Sequence, residues 1–257
     1  KDETDCVAIV RQSMLDKGIN IFEQADTESL ADLNHRTVAV INSKNKKHII
    51  TGSHIFIATG RTPNISELNL ELAGIDSSAK GITVDDRLRT SNKKIFAIGD
   101  VIGQQQFTHV ASAHAGVVLK NILFRWPAKM KTHYIPWVTY TTPELAHVGL
   151  TITQAKKQNI KAVITETEYK DNDRAIAINK TIGKIKILTD LKGRLLGVTI
   201  VGEQAGELIM PWLMMVKEKR SLRKITDLLV PYPTLSELNK KVAGQFYHKK
   251  LFSKNVK

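Results

Sequence analysis

The segment 232–237, with the sequence YPTLSE, carries two side chains that could do acid-base or ligand chemistry, Tyr232 and Glu237. A phenol with an ordinary pKa of about 10 is a poor base at neutral pH. The structural alternative is a turn followed by a helix, in which Glu237 is an acidic first-turn residue that complements the helix dipole. Both interpretations are compatible with the residues alone.

A second carboxylate, Asp100, follows a short apolar run. The run Ile95–Ile98 is continuous and is closed by Gly99 and Asp100, which is typical of a strand buried on both faces of a parallel sheet. Ligands of such sheets bind at the carboxyl ends of the strands, so the sequence predicts a ligand near Asp100. Alternatively, this carboxylate caps a helix or lies on the surface.

A glycine, Gly60, ends another apolar run in the segment 57–64, IATGRTPN. A glycine at this position allows the backbone to approach a ligand closely. The alternative is an ordinary transition from strand to turn with an exposed arginine, Arg61.

Metal and disulfide chemistry are not expected. Cys6 is the single cysteine, which excludes an internal disulfide, a Cys-x-x-Cys pair and a cysteine-rich zinc site. His109 and His114 are five residues apart, and residues i and i+5 do not share a helix face well. We therefore predict no metal site.

Composition sets limits on the class of protein. The chain has 257 residues, 42% of them hydrophobic, and a formal charge of +13, so it is long enough for a sizeable core. The basic residues are scattered and no recognition motif accompanies them, so nucleic-acid binding is the least favoured interpretation. The longest apolar stretch, Leu208–Val216, is far shorter than the roughly 20 residues that cross a bilayer. No amino-terminal signal pattern is present, and we predict a cytoplasmic protein.

The amino-terminal part of the sequence alternates helical and strand patterns. Apolar spacing predicts a helix over Val7–Lys17 that ends at Gly18, and a second helix over Val110–Phe124 that ends at the Trp-Pro pair. The residues between them predict short strands, with a hairpin connection at 42–46. The predicted strands are Ile19–Phe22, Thr37–Ile41, Lys47–Ile50, His54–Ala58 and Ile95–Ile98.

The carboxyl-terminal part predicts strands followed by helices. A basic, irregular stretch at 128–136 marks a domain boundary. The predicted strands are Val163–Tyr169, Lys184–Thr189 and Leu195–Val201, with a turn at Lys192-Gly193, and the predicted helices are Gln204–Lys219, Ser221–Leu229 and Leu235–Tyr247. This order favours an α+β domain. The basic tail, with Lys249, Lys250, Lys254 and Lys257, is expected to be solvated.

Several of these segments together resemble the FAD-dependent pyridine nucleotide-disulfide oxidoreductases. The segment 57–64 is similar to the return from the nicotinamide domain to the flavin domain in that family, and 90–100, which ends in AIGD, resembles its second flavin fingerprint. Segments 141–151, 195–202 and 205–209 resemble the family's interface domain. Segment 232–237 resembles the His-Pro-Thr-x-x-Glu segment that many members insert into the partner subunit's active site.

The resemblance implies the residues that contact FAD. Asp100 would accept a hydrogen bond from the ribityl chain, and Gly99 would leave room beside it. The helix that follows would point its amino terminus at the flavin pyrimidine, where its N–H groups and dipole stabilise negative charge. The implied cofactor-binding residues are Gly60, Arg61, Gly99, Asp100, Thr108, His109 and Ala111.

The resemblance also implies a catalytic role for Tyr232 and Glu237 across a dimer. In many members a histidine at the position of Tyr232 is the acid-base for thiol chemistry, and the glutamate orients it. A tyrosine there resembles the mercuric reductases, in which the phenol donates to, or ligates, a bound group. The paired cysteines near the carboxyl terminus of mercuric reductases are absent from 252–257.

The fold class implied is α/β. It comprises partial doubly wound FAD/NAD-binding domains followed by an α+β dimerisation domain with an antiparallel sheet and helices. We predict the carboxyl-terminal part of an NAD(P)-binding domain at 1–57, the second segment of the FAD-binding domain at 58–133, and the interface domain at 134–257.

The motifs that a complete family member would carry upstream are absent: two G-x-G-x-x-G fingerprints and a Cys-x4-Cys pair. We therefore expect one portion of an oxidoreductase that passes electrons from NAD(P)H through FAD to a disulfide or metal ion, with a missing amino-terminal half. We expect it to form a homodimer through 134–257, to bind neither nucleic acid nor membrane, and to hold FAD weakly and be inactive alone. The alternatives are a non-catalytic dimerisation module and, less favoured, a basic nucleic-acid-binding protein.

Overall fold

The computed structural model describes residues 2–33 and 36–252. Lys254 and Lys257 of the basic tail lie outside this range, whereas Lys249 and Lys250 are exposed as expected. The chain forms two compact units. The first unit comprises residues up to Ile19 and from Lys131 onward, and the second comprises Asn20–Met130. The division into three domains at residues 57 and 133 stays a prediction.

The first unit is built on a five-stranded antiparallel sheet. Its strands are β6 Trp137–Thr139, β7 Glu144–Gly149, β8 Ala162–Glu168, β9 Lys184–Asp190 and β10 Leu195–Gly202. They lie in the order β6-β7-β10-β9-β8. The three strands predicted in this region correspond to β8, β9 and β10 and are confirmed. The turn predicted at Lys192-Gly193 lies between β9 and β10, which pair with each other.

Helices cover this sheet. They are α1 Thr4–Asp16, α3 Ile152–Lys157, α4 Asp173–Ala177, α5 Ala205–Leu208, α6 Met210–Lys217, α7 Arg223–Thr226 and α8 Glu237–Phe252. The helix predicted over Gln204–Lys219 is divided into α5 and α6, since Pro211 stands at the start of α6 and lacks the N–H that a continuous helix needs. The helices predicted at 7–17 and 235–247 are confirmed with shifted ends.

The core of the first unit lies between the sheet and helices α5, α6 and α8. Trp212 is its largest fully buried side chain, and its indole N–H donates to Asn239 Oδ1 at 2.7 Å. The Asn239 amide in turn donates to the carbonyl of Leu208 at 3.2 Å. Each buried polar atom in this set has a partner, which avoids the 1–3 kcal/mol or so that an unsatisfied buried group costs.

The second unit contains a three-stranded antiparallel sheet and one long helix. The strands β1 Ala25–Leu33, β2 Arg36–Ser43 and β3 Lys46–Gly52 lie in sequence order, and a short hairpin, β4 Ser77–Ser78 and β5 Gly81–Ile82, follows. The helix is α2 Thr108–Leu123. The hairpin predicted at 42–46 is confirmed. Lys44 and Asn45 turn with positive φ, which is the geometry of a two-residue hairpin loop.

Three strand predictions in this region are wrong. Residues 19–22 and 54–58, all of them described, form no strand, and Ile95–Ile98 contributes only an isolated bridge between Arg89 and Phe96. A parallel strand forms only beside partner strands, and no parallel pairing occurs in the described part of the chain. Phe56 is consequently 91% exposed.

In the described ranges, no helix has the length and hydropathy needed to span a bilayer. The apolar stretch Leu208–Val216 instead lies in α5 and α6, with Trp212, Met215 and Val216 buried in the core.

Candidate functional site

Asp100 lies in a short 3-10 helix, Gly99–Ile102, of the second unit. The turn closes where the Gly103 N–H donates to the Asp100 carbonyl at 2.9 Å, with Gly103 at φ 71°. A Cβ on Gly103 would lie 1.3 Å from the carbonyl oxygen of Lys80. The backbone of the β4–β5 hairpin therefore packs directly against this turn and fixes the position of Asp100.

Arg61 lies beside Asp100. Its Nη1 donates to the carbonyl of Gln106 at 2.9 Å and lies 3.6 Å from Asp100 Oδ2. The two side chains are 65% and 48% exposed, so the ion pair itself contributes about 1 kcal/mol or less to stability. The arrangement leaves the Asp100 carboxylate on the surface with oxygen lone pairs available to a ligand.

Gly99, in this turn, packs against the start of α2. At φ 75°, a Cβ on Gly99 would meet the Cβ of Ala111 at 3.4 Å, so the two predicted residues are neighbours. The Gly99 N–H donates to Nδ1 of His114 at 3.1 Å. His114 is buried, and burial lowers its pKa. His114 thus accepts a backbone hydrogen bond at Nδ1, a role the sequence did not suggest.

Thr108 and His109 occupy the first turn of α2 and are exposed. The positive end of the helix dipole lies at this turn. The rings of Phe107 and His109 are stacked, 5.2 Å apart. Gly60 has φ 118° with open space where a Cβ would stand, which requires glycine but identifies no ligand.

Tyr232 and Glu237 lie in the first unit, at the segment that leads into α8. The Tyr232 hydroxyl donates to Asp173 Oδ2 at 3.0 Å, and this hydrogen bond with Asp173 raises the pKa of the phenol. Glu237 Oε2 accepts the backbone N–H of Thr234 at 3.3 Å. The carboxylate that contacts Tyr232 is therefore Asp173, and the expected orienting contact from Glu237 is not observed.

A polar cleft of about 470 Å³ adjoins this segment. It is lined by Asp171, Asn172, Asp173, Val230, Glu237, Lys240 and Lys241. The ammonium of Lys240 donates to the carbonyl of Leu228 at 2.7 Å and that of Lys241 to the carbonyl of Asp171 at 2.5 Å. Both lysines thus link α8 to the neighbouring segments that line the cleft. Among the described residues, no group of three or more His, Cys, Asp or Glu side chains could hold a metal ion.

Two family profiles match the chain and together cover most of it. "Pyridine nucleotide-disulphide oxidoreductase" matches residues 2–115, and its "dimerisation domain" matches 135–243. The chain belongs to the pyridine nucleotide-disulphide oxidoreductase family.

Relatives in this family include enzymes of two kinds. The mercuric reductase of Staphylococcus aureus is 31% identical over 230 residues, which is 89% of this chain and 42% of the relative. The dihydrolipoyl dehydrogenase of Bacillus subtilis is 28% identical over 244 residues, 94% of this chain and 52% of the relative. The chain spans about half the length of the curated relatives it matches.

Solved structures of the oxidoreductase fold confirm the predicted fold class. LpdA from Mycobacterium tuberculosis superposes with a TM-score of 0.88 at 24% identity, over 96% of this chain and 53% of that protein. The Cu(II) complex of the flavoprotein disulfide reductase RclA from Escherichia coli, a C43S mutant, gives a TM-score of 0.87 at 24% identity, over 95% and 55%.

Proposed function

We propose that this chain forms the carboxyl-terminal portion of a flavoprotein oxidoreductase that passes electrons from NAD(P)H through FAD to a disulfide or a metal ion. Membership of the oxidoreductase family supports the class of reaction. The observation that carries the proposal is the grouping of Arg61 with Asp100 and of Gly99 with the first turn of α2. These contacts join residues that were predicted to hold FAD from widely separated positions in the sequence.

Three features of these residues support binding of the polyol and pyrimidine parts of FAD. Asp100 offers an exposed carboxylate that can accept hydrogen bonds from hydroxyl groups, and Arg61 Nη1 lies 3.6 Å from it. The backbone of Gly99 lies close to Ala111 without an intervening side chain. The start of α2 supplies the positive end of the helix dipole, which stabilises negative charge.

When bound, FAD would supply the electron transfer itself. The residues of this chain would bind and orient the cofactor. Asp100 would fix the ribityl chain by accepting hydrogen bonds from its hydroxyl groups. The start of α2 would stabilise negative charge at the pyrimidine edge. Burial lowers the pKa of His114, which favours the ring form whose Nδ1 accepts the Gly99 N–H.

Tyr232 and Glu237 would act across a homodimer formed through residues 134–257. The match to the dimerisation domain supports self-association. The raised pKa of Tyr232 disfavours a role as a base and favours a neutral phenol that contacts a bound group. Glu237 would support the segment through the N–H of Thr234 rather than orient the phenol.

The test uses a combined protein, which consists of this full chain and the amino-terminal portion of the mercuric reductase of Staphylococcus aureus. That portion is the part of the relative that does not match this chain. The measurement is the flavin absorbance retained after gel filtration, followed by bleaching with NADH or NADPH. We expect the chain alone to retain little FAD, and the combined protein to retain it and to be bleached.

A matched pair of variants links the result to the site. Asp100→Asn keeps the shape of the side chain and removes its charge, and we expect it to lower FAD retention in the combined protein. Asp76→Asn, at an exposed position of the same unit, is the control. Equal retention in both variants would contradict the assignment of Asp100. A folded dimer that never retains FAD would favour a non-catalytic dimerisation module.

A further inference from the structure

The hydrogen bond between Tyr232 and Asp173 determines what the phenol can offer to a ligand. A tyrosine hydroxyl has one proton and two lone pairs. Its proton is donated to Asp173 Oδ2 at 3.0 Å, and a carboxylate is a strong acceptor. Because Tyr232 is 69% exposed, the lone pairs of its oxygen can serve as an acceptor or as a ligand to a cation.

The position of Asp173 is set by a buried neighbour. Asn172, at 4% exposure, caps α4 by accepting the N–H of Ala175 at 2.9 Å. The same amide donates to the carbonyl of Thr234 at 3.1 Å. One buried side chain thus joins the start of α4, where Asp173 lies, to the segment that carries Tyr232. Asn172 thus sets the distance between the two backbone segments, and the exposed side chains of Tyr232 and Asp173 meet across it.

We propose that Asp173 is a positioning residue for Tyr232, which holds the phenol neutral and directs its lone pairs toward a group that accepts electron pairs. Such a group is a metal cation or an N–H or S–H donor. The choice of substrate rests on the proposed function, whereas the coupling of the two side chains does not. Asp173 would thus have the orienting role that the family resemblance implied for Glu237.

The other charged groups around the phenol act in the same direction or are engaged elsewhere. Asp173 and, more weakly, Glu237 raise the pKa of Tyr232. Lys240 and Lys241, which line the same cleft, donate to backbone carbonyls. Asp171 is the remaining charged group in that lining. A protonated phenol bound to an ionised carboxylate is the state that this surrounding favours.

The test follows the phenol directly by carbon NMR of the full chain containing tyrosine labelled with carbon-13 at the ring carbon that bears oxygen. Its resonance reports deprotonation of each of the five tyrosines, and Tyr232→Phe assigns one of them. In the parent chain we expect Tyr232 to titrate above free tyrosine. In Asp173→Asn we expect its midpoint to shift to lower pH.

Glu237→Gln is the matched control, because it removes a nearby charge without removing the acceptor of the phenol proton. We expect a smaller shift than in Asp173→Asn. An unchanged Tyr232 midpoint in Asp173→Asn, or a larger shift in Glu237→Gln, would overturn the proposal. If Asp173→Asn lowers the melting temperature, Asp173→Glu is measured as well, and recovery of the parent midpoint there supports the role of the carboxylate.

The kcat of the combined protein described above supplies a second test. If it turns over, Asp173→Asn should lower kcat as Tyr232→Phe does, and the double variant should lose no more than either single variant. Additive losses would overturn the positioning role. If the combined protein folds but never retains FAD, the proposed function has failed, and the NMR titration still decides whether Asp173 controls Tyr232.

Discussion

Gly103 is the residue that permits the close contact between the turn of Asp100 and the β4–β5 hairpin. Its φ of 71° is accessible to glycine, and a Cβ would overlap the carbonyl oxygen of Lys80 at 1.3 Å. We expect Gly103→Ala to lower the free energy of unfolding by about 3 kcal/mol or more, since backbone must move to remove the overlap. Urea denaturation measures this change.

The control for this variant is Gly74→Ala, where φ is 65° and no atom lies within 4 Å of the added Cβ. Only the left-handed backbone then opposes alanine, at a cost of about 1–2 kcal/mol. Equal losses in the two variants would show that backbone conformation, and not contact with Lys80, makes Gly103 necessary.

His114 should make stability depend on pH. Burial lowers its pKa in the folded chain, whereas an unfolded histidine titrates at about 6.5. The unfolded state therefore takes up the proton first, so this contribution to stability is full above about pH 6.5 and is lost as the pH falls further. His114→Asn keeps an acceptor for the Gly99 N–H and should flatten that part of the curve.

Urea unfolding on either side of the unfolded pKa tests this prediction. His54→Asn, at an exposed position, controls for the change of residue type and should keep the slope of the parent. A parent slope that persists in His114→Asn would mean that another group takes up the proton.

At this scale the sequence identified residues that lie in short motifs. Arg61 and Asp100 were predicted from two such segments, and the structure brings them within 3.6 Å. Asp173 and His114 were missed as partners because their roles depend on distant positions. Asp173 contacts a residue 59 positions away, and the residues around it carry no signal of that contact.

Helix α1 is held against the sheet of the first unit by charge as well as by apolar packing. Cys6 and Val10 are buried with Leu145 and Val201. Asp5 Oδ2 accepts from the ammonium groups of Lys184 at 2.8 Å and Lys186 at 2.5 Å. Two strand lysines thus face the first turn of the helix, and their attraction for Asp5 fixes the docking of α1.

Asp5→Asn should loosen this docking. Burial opposes ionisation of Asp5, but hydrogen bonds and charge from Lys184 and Lys186 outweigh it and lower the pKa to about 2. Since the folded pKa is below the unfolded value of about 3.9, the stabilisation is present above that value and is lost as the pH falls toward 2. We expect a loss of about 1 kcal/mol at neutral pH, after allowance for partial exposure.

Acid titration of unfolding checks this prediction. The gap between parent and Asp5→Asn should close as the pH falls from about 4 toward 2. Asp16→Asn, at an exposed position near the end of the same helix, should show no such gap. A constant gap at all pH values would mean that Asp5 stabilises the helix start without the lysines.

At the scale of elements, local pairing was predictable and distant pairing was not. The hairpins β2–β3 and β9–β10 follow from turn residues between alternating strands. The apolar runs at 54–58 and 95–98 were predicted as strands from composition, yet a parallel strand depends on neighbours that are far away in sequence. The apolar composition of these runs therefore indicated that they are suited to a buried strand. It could not show which strands, if any, they pair with.

The two units have separate hydrophobic cores of different size. Among the described residues, the core of the first unit contains 22 buried residues from sheet and helices. The main cluster of the second unit contains six, drawn mostly from short irregular segments. Because burial of apolar surface is the main stabilising term in folding, we expect the second unit to unfold first. Denaturation should then show more than one transition.

Leu238→Ala tests whether the cores are independent. Leu238 is fully buried in α8, and truncation of such a leucine costs about 2–5 kcal/mol. If the cores are separate, hydrogen exchange should rise in β8, β9 and β10 and stay unchanged in β1, β2 and β3. Leu72→Ala, at an 89% exposed position, is the control and should leave both sheets as they are. Faster exchange in both sheets of Leu238→Ala would mean that the two units unfold as one, and the smaller core would then owe its stability to the larger.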